Sequence, residues 1–213
     1  MDIYTIGHSN YSAERLIDML KHYDIDTVVD IRGTPYSKYN IQFNKETIQR
    51  TLTQAGFIYI YMAEQFAANR GIKISYTGEG YSDFERVVNE PSFLKGVDRL
   101  KNGINKGYKI ALLGAMQDPI RCHRSILVGR FLRNKGFNVK HILDNYSIGT
   151  QEDMEKNLLD KYFSKRAQLT MDSLLGNEFS EEEMIRESYR LANREIGFRV
   201  EGLDKPIKSV FKL

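Results

Sequence analysis

Cys122-His123-Arg124-Ser125 gathers a thiol, an imidazole, a guanidinium and a hydroxyl in four consecutive positions. A thiol attacks as its thiolate, and a neighbouring imidazole and guanidinium both favour that form. A helix starting at this point would add its dipole, and its free N–H groups would suit a phosphate or carboxylate. Known thiolate motifs can be tested by spacing. A tyrosine-phosphatase loop needs an arginine after five intervening residues, and that position holds Val128. The Cys-x-x-Ser redox pattern fits the letters, but thioredoxin-like motifs follow a first strand, and this one follows the fourth. The plainer alternative is a small buried cysteine with Arg124 packed nearby.

Other reactive side chains are spread along the first two thirds of the chain. His8 and Ser9 lie in GHSN, Asp30 and Arg32 in DIR, Ser37 in TPYSKYN, and Glu64 after a third apolar run. His8 is a candidate general acid or base, or a ring bonded to a loop carbonyl. Asp30 and Arg32 are two apart, so a strand puts them on one face. They form either a structural ion pair or a division of labour in which Asp30 orients a base while Arg32 grips an anion. Cys122, His8, Asp30 and Glu64 are the catalytic candidates. Ser9, Arg32, Ser37, His123 and Arg124 are the substrate-binding candidates. His8, Asp30, Glu64 and His123 could also hold a metal, although no spacing enforces it. YTGEGY at 76–81 lacks the spacing of a phosphate loop and reads as a mobile insertion.

Alternating strand and helix signals must position these groups. DIYTIGH at 2–8, TVVDIR at 27–32, FIYIYM at 57–62, KIALLG at 109–114 and NVKHIL at 138–143 read as strands. The second and fourth are near-continuous apolar runs, as in strands buried on both faces. Ser12 can cap a helix to about His22, and Asn44 one carrying Ile48 and Leu52. Further helices are expected over 92–106 and 125–135. The expected fold is α/β: a mostly parallel five-stranded sheet, helices on both faces, and a C-terminal helical extension. Residues 1–150 form the core and 151–213 the extension, where Ser180 and Glu183 make a capping box. In such a sheet ligands bind beyond the carboxyl ends of the strands. His8, Asp30, Arg32, Glu64 and Cys122 all fall at those ends.

Composition bounds the class. The 213 residues are 41% hydrophobic and 28% charged, an ordinary globular balance. No run approaches the ~18 apolar residues of a membrane helix, and a first strand at Asp2 leaves no room for a signal peptide. The single cysteine excludes an intrachain disulfide and fits a cytoplasmic setting. Residues 151–213 hold 11 Lys/Arg against 13 Asp/Glu, leaving 20 against 15 for residues 1–150. That mild positive bias suits an anionic ligand.

GHS at 7–9, D-x-R at 30–32 with PYSKYN at 35–40, QFN at 42–44 and DPIRCHRS at 118–125 together resemble the family called domain of unknown function 488. The likeness runs through QEDMEKNLLDKYF and SEEEMIRESY, so it covers nearly the whole chain. It implies an α/β fold and a cytoplasmic location, and names no reaction. The family pattern has cysteine at the place of Gly114, glutamate at the place of Met116, and Gly-Glu then Leu-Gly-Gly where this chain reads AEQFAA at 63–68. A mechanism with two paired thiols is therefore closed to this chain.

The expected function is an enzyme, a hydrolase or transferase, acting on an anionic, nucleotide-like or phosphorylated substrate. The alternative is a nucleotide or nucleic-acid binding module, with Tyr36, Tyr39, Tyr59 and Tyr61 as stacking surfaces and Lys38 as charge. The partner is a small anionic ligand or nucleic acid, not a membrane; cofactor and oligomeric state are left open. Gln168-Leu169-Thr170-Met171 resembles the start of a bacterial sliding-clamp-binding peptide. Asp172 stands where its aromatic anchor belongs, which favours a core-covering role for Leu169 and Met171.

Overall fold

The computed structural model describes residues 1–164 and 179–200. The clamp-like segment Gln168–Met171 lies outside the described residues. Strands β1 (Asp2–Gly7), β2 (Thr27–Asp30), β3 (Ile58–Tyr61), β4 (Ile110–Gly114) and β5 (Asn138–Ile142) pair in parallel, in the order β3-β2-β4-β1-β5. A sixth strand, β6 (Ile148–Thr150), closes the β5 edge antiparallel. The expected five-stranded sheet is thus six-stranded and mixed. The sequence gives β6 no signal because three residues are too few to show a period.

Helices cover both faces. α1 (Ala13–His22) and α2 (Lys45–Gln54) bury Leu16, Met19, Leu20, Ile48 and Leu52 on one side. Ser12 caps α1 as expected, accepting the Arg15 N–H. Asn44 precedes α2 without capping it; its side-chain oxygen accepts the Ser37 N–H at 2.7 Å and ties down the loop after β2. On the other side lie α3 (Ala63–Phe66), α4 (Phe84–Val87), α5 (Pro91–Asn105), α6 (Arg130–Asn134), α7 (Gln151–Tyr162) and α8 (Glu181–Ile196), which share one core. Along β4 the two cores alternate: Ile110 and Leu112 face one, Ala111 and Leu113 the other. The Ser180–Glu183 capping box starts α8, which gives Tyr189 and Ala192 to the core.

Two local features add detail to the expected elements. Residues Arg124–Gly129 form a π-helical turn before α6 continues. The 76–81 insertion is a paired turn: Tyr76 bridges Ser82, Tyr81 bridges Arg199, and the Thr77 N–H reaches the Tyr81 carbonyl at 2.9 Å.

This topology creates a crevice. The chain leaves β1 and β2 toward the α1/α2 face, and leaves β4, which sits between them, toward the opposite face. Loops diverging on either side of one strand open a ligand-sized gap at its carboxyl end. Among the described residues no helix is long and apolar enough to cross a membrane.

Candidate functional site

The gap beyond β4 is two adjoining clefts rather than one pocket. The first, about 640 Å³, lies between the ends of β1, β4 and β5 and is lined by His8, Ser9, Asn10, Gln117 and Asp144 among others. The second, about 470 Å³, lies between the ends of β2 and β4 and is lined by Arg32, Gly33, Asn69, Cys122 and His123, with Glu195 and Phe198 from the tail. Ala115, Met116 and Arg121 border both. His8 therefore does not share a cleft with Arg32 and Cys122.

Close packing sets the wall between the clefts. A Cβ on Gly7 would fall 1.8 Å from the Met116 carbonyl oxygen, so only glycine lets the loop after β4 cross the end of β1. The His8 N–H bonds the Gly114 carbonyl and the Ser9 N–H the Ala115 carbonyl. Beneath that loop the fully buried Arg124 donates from Nη1 to the Met116 carbonyl and from Nη2 to the Gln117 carbonyl at 2.7 Å. Among the described residues its Nε finds no partner.

Cys122 and His123 sit side by side in the second cleft. The Cys122 sulfur lies 3.8 Å from His123 Nδ1, and His123 Nε2 lies 3.0 Å from the Ile31 carbonyl oxygen. A carbonyl can only accept, so Nε2 carries a proton and Nδ1 faces the sulfur. Burial pushes the Cys122 thiol up, but His123, the Arg124 charge and the Arg124 backbone N–H overcome it and draw it down to about 5. Burial likewise disfavours the charged imidazole, yet the thiolate and the Ile31 carbonyl raise His123 above its ordinary value. Both shifts run in the direction of a thiolate beside an imidazolium. The N–H at the start of the helical turn is spent on the sulfur, which occupies the place expected for an external anion.

The D-x-R pair is structural in geometry. Asp30 is fully buried and takes Arg32 Nε at 2.8 Å and Nη2 at 2.6 Å. Tyr59 adds its hydroxyl at 2.7 Å, and both burial and Asp30 raise the Tyr59 phenol far above its ordinary value. Arg32 Nη1 donates to the Phe43 carbonyl at 2.8 Å and reaches His8 Nε2 at 3.0 Å. The guanidinium keeps little donor capacity for a ligand. His8 is held on three sides: Nδ1 lies 2.8 Å from the Ser9 carbonyl, Nε2 meets Arg32, and the ring stacks on Phe43 at 4.2 Å. Burial first, and the Arg32 charge second, lower its pKa to about 4, so it is neutral at pH 7.

Two expected site residues lie elsewhere. Glu64 is exposed on α3 and lines neither cleft; its helix points it outward. The Ser37 hydroxyl accepts the Tyr39 and Asn40 N–H groups at 3.1 Å each and shapes its own loop. Ser9 lines the first cleft in a left-handed backbone conformation, φ 48°. The metal arrangement does not form: both Asp30 oxygens and His8 Nε2 are taken by Arg32, and Glu64 is remote. Among the described residues no three His, Cys, Asp or Glu side chains are grouped to hold a metal ion. Of the stacking tyrosines, Tyr36 and Tyr39 are exposed, while Tyr59 binds Asp30 and Tyr61 packs under Lys45.

Sequence reasoning passed over Asn69, Gly33 and Arg121. Asn69 is a single amide in an irregular stretch and carries no motif. Its one readable trace is Gly33, where a Cβ would fall 1.7 Å from the Asn69 amide oxygen.

The model of the family described as Domain of unknown function DUF488 matches residues 12–131, which take in Asp30, Arg32, Asn69 and the Cys122–Arg124 run. No curated protein and no solved structure matches the chain.

Proposed function

As the chain belongs to the DUF488 family, whose description assigns no reaction, we propose its function from the site itself: a thiol-dependent hydrolase or transferase acting on an anionic substrate. Cys122 is the nucleophile, His123 its proton partner, and the Ile31 carbonyl the group that orients the imidazole, the arrangement of an activated nucleophile. The second cleft is the reaction site. Residues 1–150 carry this machinery, and the extension over 151–213 supplies Glu195 and Phe198 as one wall.

The observation that supports an anionic substrate is the charge on Arg124. Arg32 has its carboxylate in Asp30, at 2.6 Å. Arg124 is as deeply buried, yet among the described residues it bonds only carbonyls and forms no ion pair. A buried cation without a counter-charge is costly. The Cys122 thiolate offsets one positive charge, but His123 and Arg124 supply two, and Arg121 adds a third at the rim. Glu195, across the cleft, is paired with Lys161 at 2.5 Å. The site therefore keeps a positive balance that a substrate anion completes. His8, Asp30 and Arg32 are positioning residues here, holding the end of β2 against the β1 loop.

Iodoacetate and iodoacetamide test this reading, because they alkylate thiols alike and differ in charge. The expected result is labelling at Cys122 with iodoacetate preferred, the preference falling as salt rises. Preference for the neutral reagent, or no labelling of the folded protein, overturns it. The nucleic-acid alternative rests on Tyr36, Tyr39 and Lys38, all exposed on one loop. Salt-dependent retention of single-stranded nucleic acid, lost on Tyr39→Ala, would favour it.

A further inference from the structure

Asn69 is an amide that the fold places and leaves unused. It is 4% exposed, lies on the segment after α3, and lines the same cleft as Cys122 and His123. Among the described residues its Nδ2 finds no hydrogen-bond partner. A buried donor left unmade is unfavourable, and such a group in a native structure needs a reason. The position is held tightly: Gly33 must be glycine because the Asn69 amide oxygen occupies the space of its Cβ. The neighbouring Arg70 fixes the segment through a buried ion pair with Glu90. Three strand ends therefore converge on the cleft, with Gly33 after β2, Asn69 after β3 and Cys122 after β4.

The number and kind of donors separate the reactions open to such a site. Phosphoryl transfer spreads charge over three equatorial oxygens and calls for several cationic donors around them. Around Cys122 the Arg32 and Arg124 guanidinium groups are committed to Asp30 and to loop carbonyls, and Arg121 stands at the rim. Behind that rim, Asn69 lines the cleft with a neutral amide whose buried Nδ2 has no partner among the described residues. One or two such donors serve a developing oxyanion on a carbonyl.

Resting on the Cys122 reading above, we infer that Asn69 is the oxyanion donor of an acyl transfer and that the substrate is an anionic ester or amide. The Cys122 thiolate adds to the carbonyl carbon, forming the C–S bond, and the carbonyl pair moves onto oxygen, where the Asn69 N–H receives it. The oxyanion collapses, the bond to the leaving group breaks, and His123 passes its Nδ1 proton to that group. Neutral His123 then takes a proton from water as the water attacks the thioester. The C–S bond breaks, and the thiolate and imidazolium are restored. Ester or amide plus water becomes acid plus alcohol or amine.

The test uses the whole chain with mono-(4-nitrophenyl) succinate, an activated ester bearing a carboxylate, and with 4-nitrophenyl phosphate. The expected result is nitrophenolate release from the ester, a succinyl mass on Cys122, and no turnover of the phosphate. Asn69→Ala should slow acylation about 100- to 1000-fold, the range for one oxyanion donor. Asn69→Ser, which keeps a donor, should recover part of that loss. In both variants iodoacetate labelling and the thiolate absorbance of Cys122 should match the wild type. Labelled Cys122 with no acylation, or with turnover of the phosphate alone, overturns the inference and spares the thiol reading. Equal acylation by Asn69→Ala overturns it too, as does a slow variant whose thiolate absorbance has also shifted, which would mark a structural role. Loss of iodoacetate labelling in the wild type defeats the thiol reading itself.

Discussion

Arg32 Nη1 lies 3.0 Å from His8 Nε2, and this contact decides what His8 can do. A guanidinium only donates, so Nε2 is the acceptor and the ring proton sits on Nδ1, toward the Ser9 carbonyl. Both ring nitrogens are occupied and the ring is neutral. The residue that strand-end position suggests as an acid or base is instead a peg between the β1 and β2 loops. His8→Asn should therefore weaken stability by about 1–3 kcal/mol and leave the Cys122 titration in place. Chemical denaturation together with the thiolate absorbance checks both parts.

The Asp30–Arg32 pair is buried on both sides. Asp30→Asn leaves the guanidinium charge without its carboxylate, and breaking such a pair costs about 3–5 kcal/mol. Denaturation midpoints should show that loss for Asp30→Asn. A paired replacement of both residues by apolar groups should be milder, since the desolvation cost of both ions then disappears.

Gly7→Ala tests the crossing of the β1 end by the loop after β4. Its Cβ would meet the Met116 carbonyl oxygen, a backbone atom that cannot swing aside, and Arg124 Nη1 lies 2.7 Å away. Overpacking of this kind costs about 1–3 kcal/mol. Because the displaced loop carries the carbonyls that hold Arg124, the variant should also lose iodoacetate preference. An unchanged melting temperature and unchanged labelling would count against this account of the wall.

Stability should fall with acid through a second histidine. His141 is fully buried, with Thr5 on Nδ1 at 2.7 Å and Gln151 on Nε2 at 2.9 Å. Burial, then the Arg124 charge, lower its pKa to about 4 from an ordinary 6.5. The unfolded chain thus binds the proton more readily. The neutral ring's contribution is complete above about pH 6.5 and is lost as pH falls toward 4. The loss is on the order of 3 kcal/mol. Urea midpoints across that window should drop in the wild type and drop less in His141→Gln.

Much of this arrangement is legible in the chain before any coordinates. The apolar runs at 27–32 and 109–114 name the buried strands, and polar residues after them mark the end of the sheet where the clefts open. Short-range signals with a mechanism also held, such as Ser12 before α1 and the Ser180–Glu183 box before α8. What sequence does not carry is the destination of a side chain with several possible partners. Asn44 serves the Ser37 loop instead of its helix, and Glu64 is exposed on α3, a direction the sequence could not show because a four-residue helix is too short for a period. Asn69 acquires meaning only from Gly33, 36 positions earlier.

The state of Cys122 decides the account. The chain has one cysteine, so the difference in thiolate ultraviolet absorbance between wild type and Cys122→Ser belongs to one group. That difference should be fully developed at neutral pH and flat from about pH 7 to 9, since the midpoint lies near 5. His123→Ala should bring a midpoint up into that window, toward the ordinary ~8.5. A wild-type thiolate signal that is absent at pH 7 and emerges near 8.5 would contradict the thiolate–imidazolium pair and the function built on it.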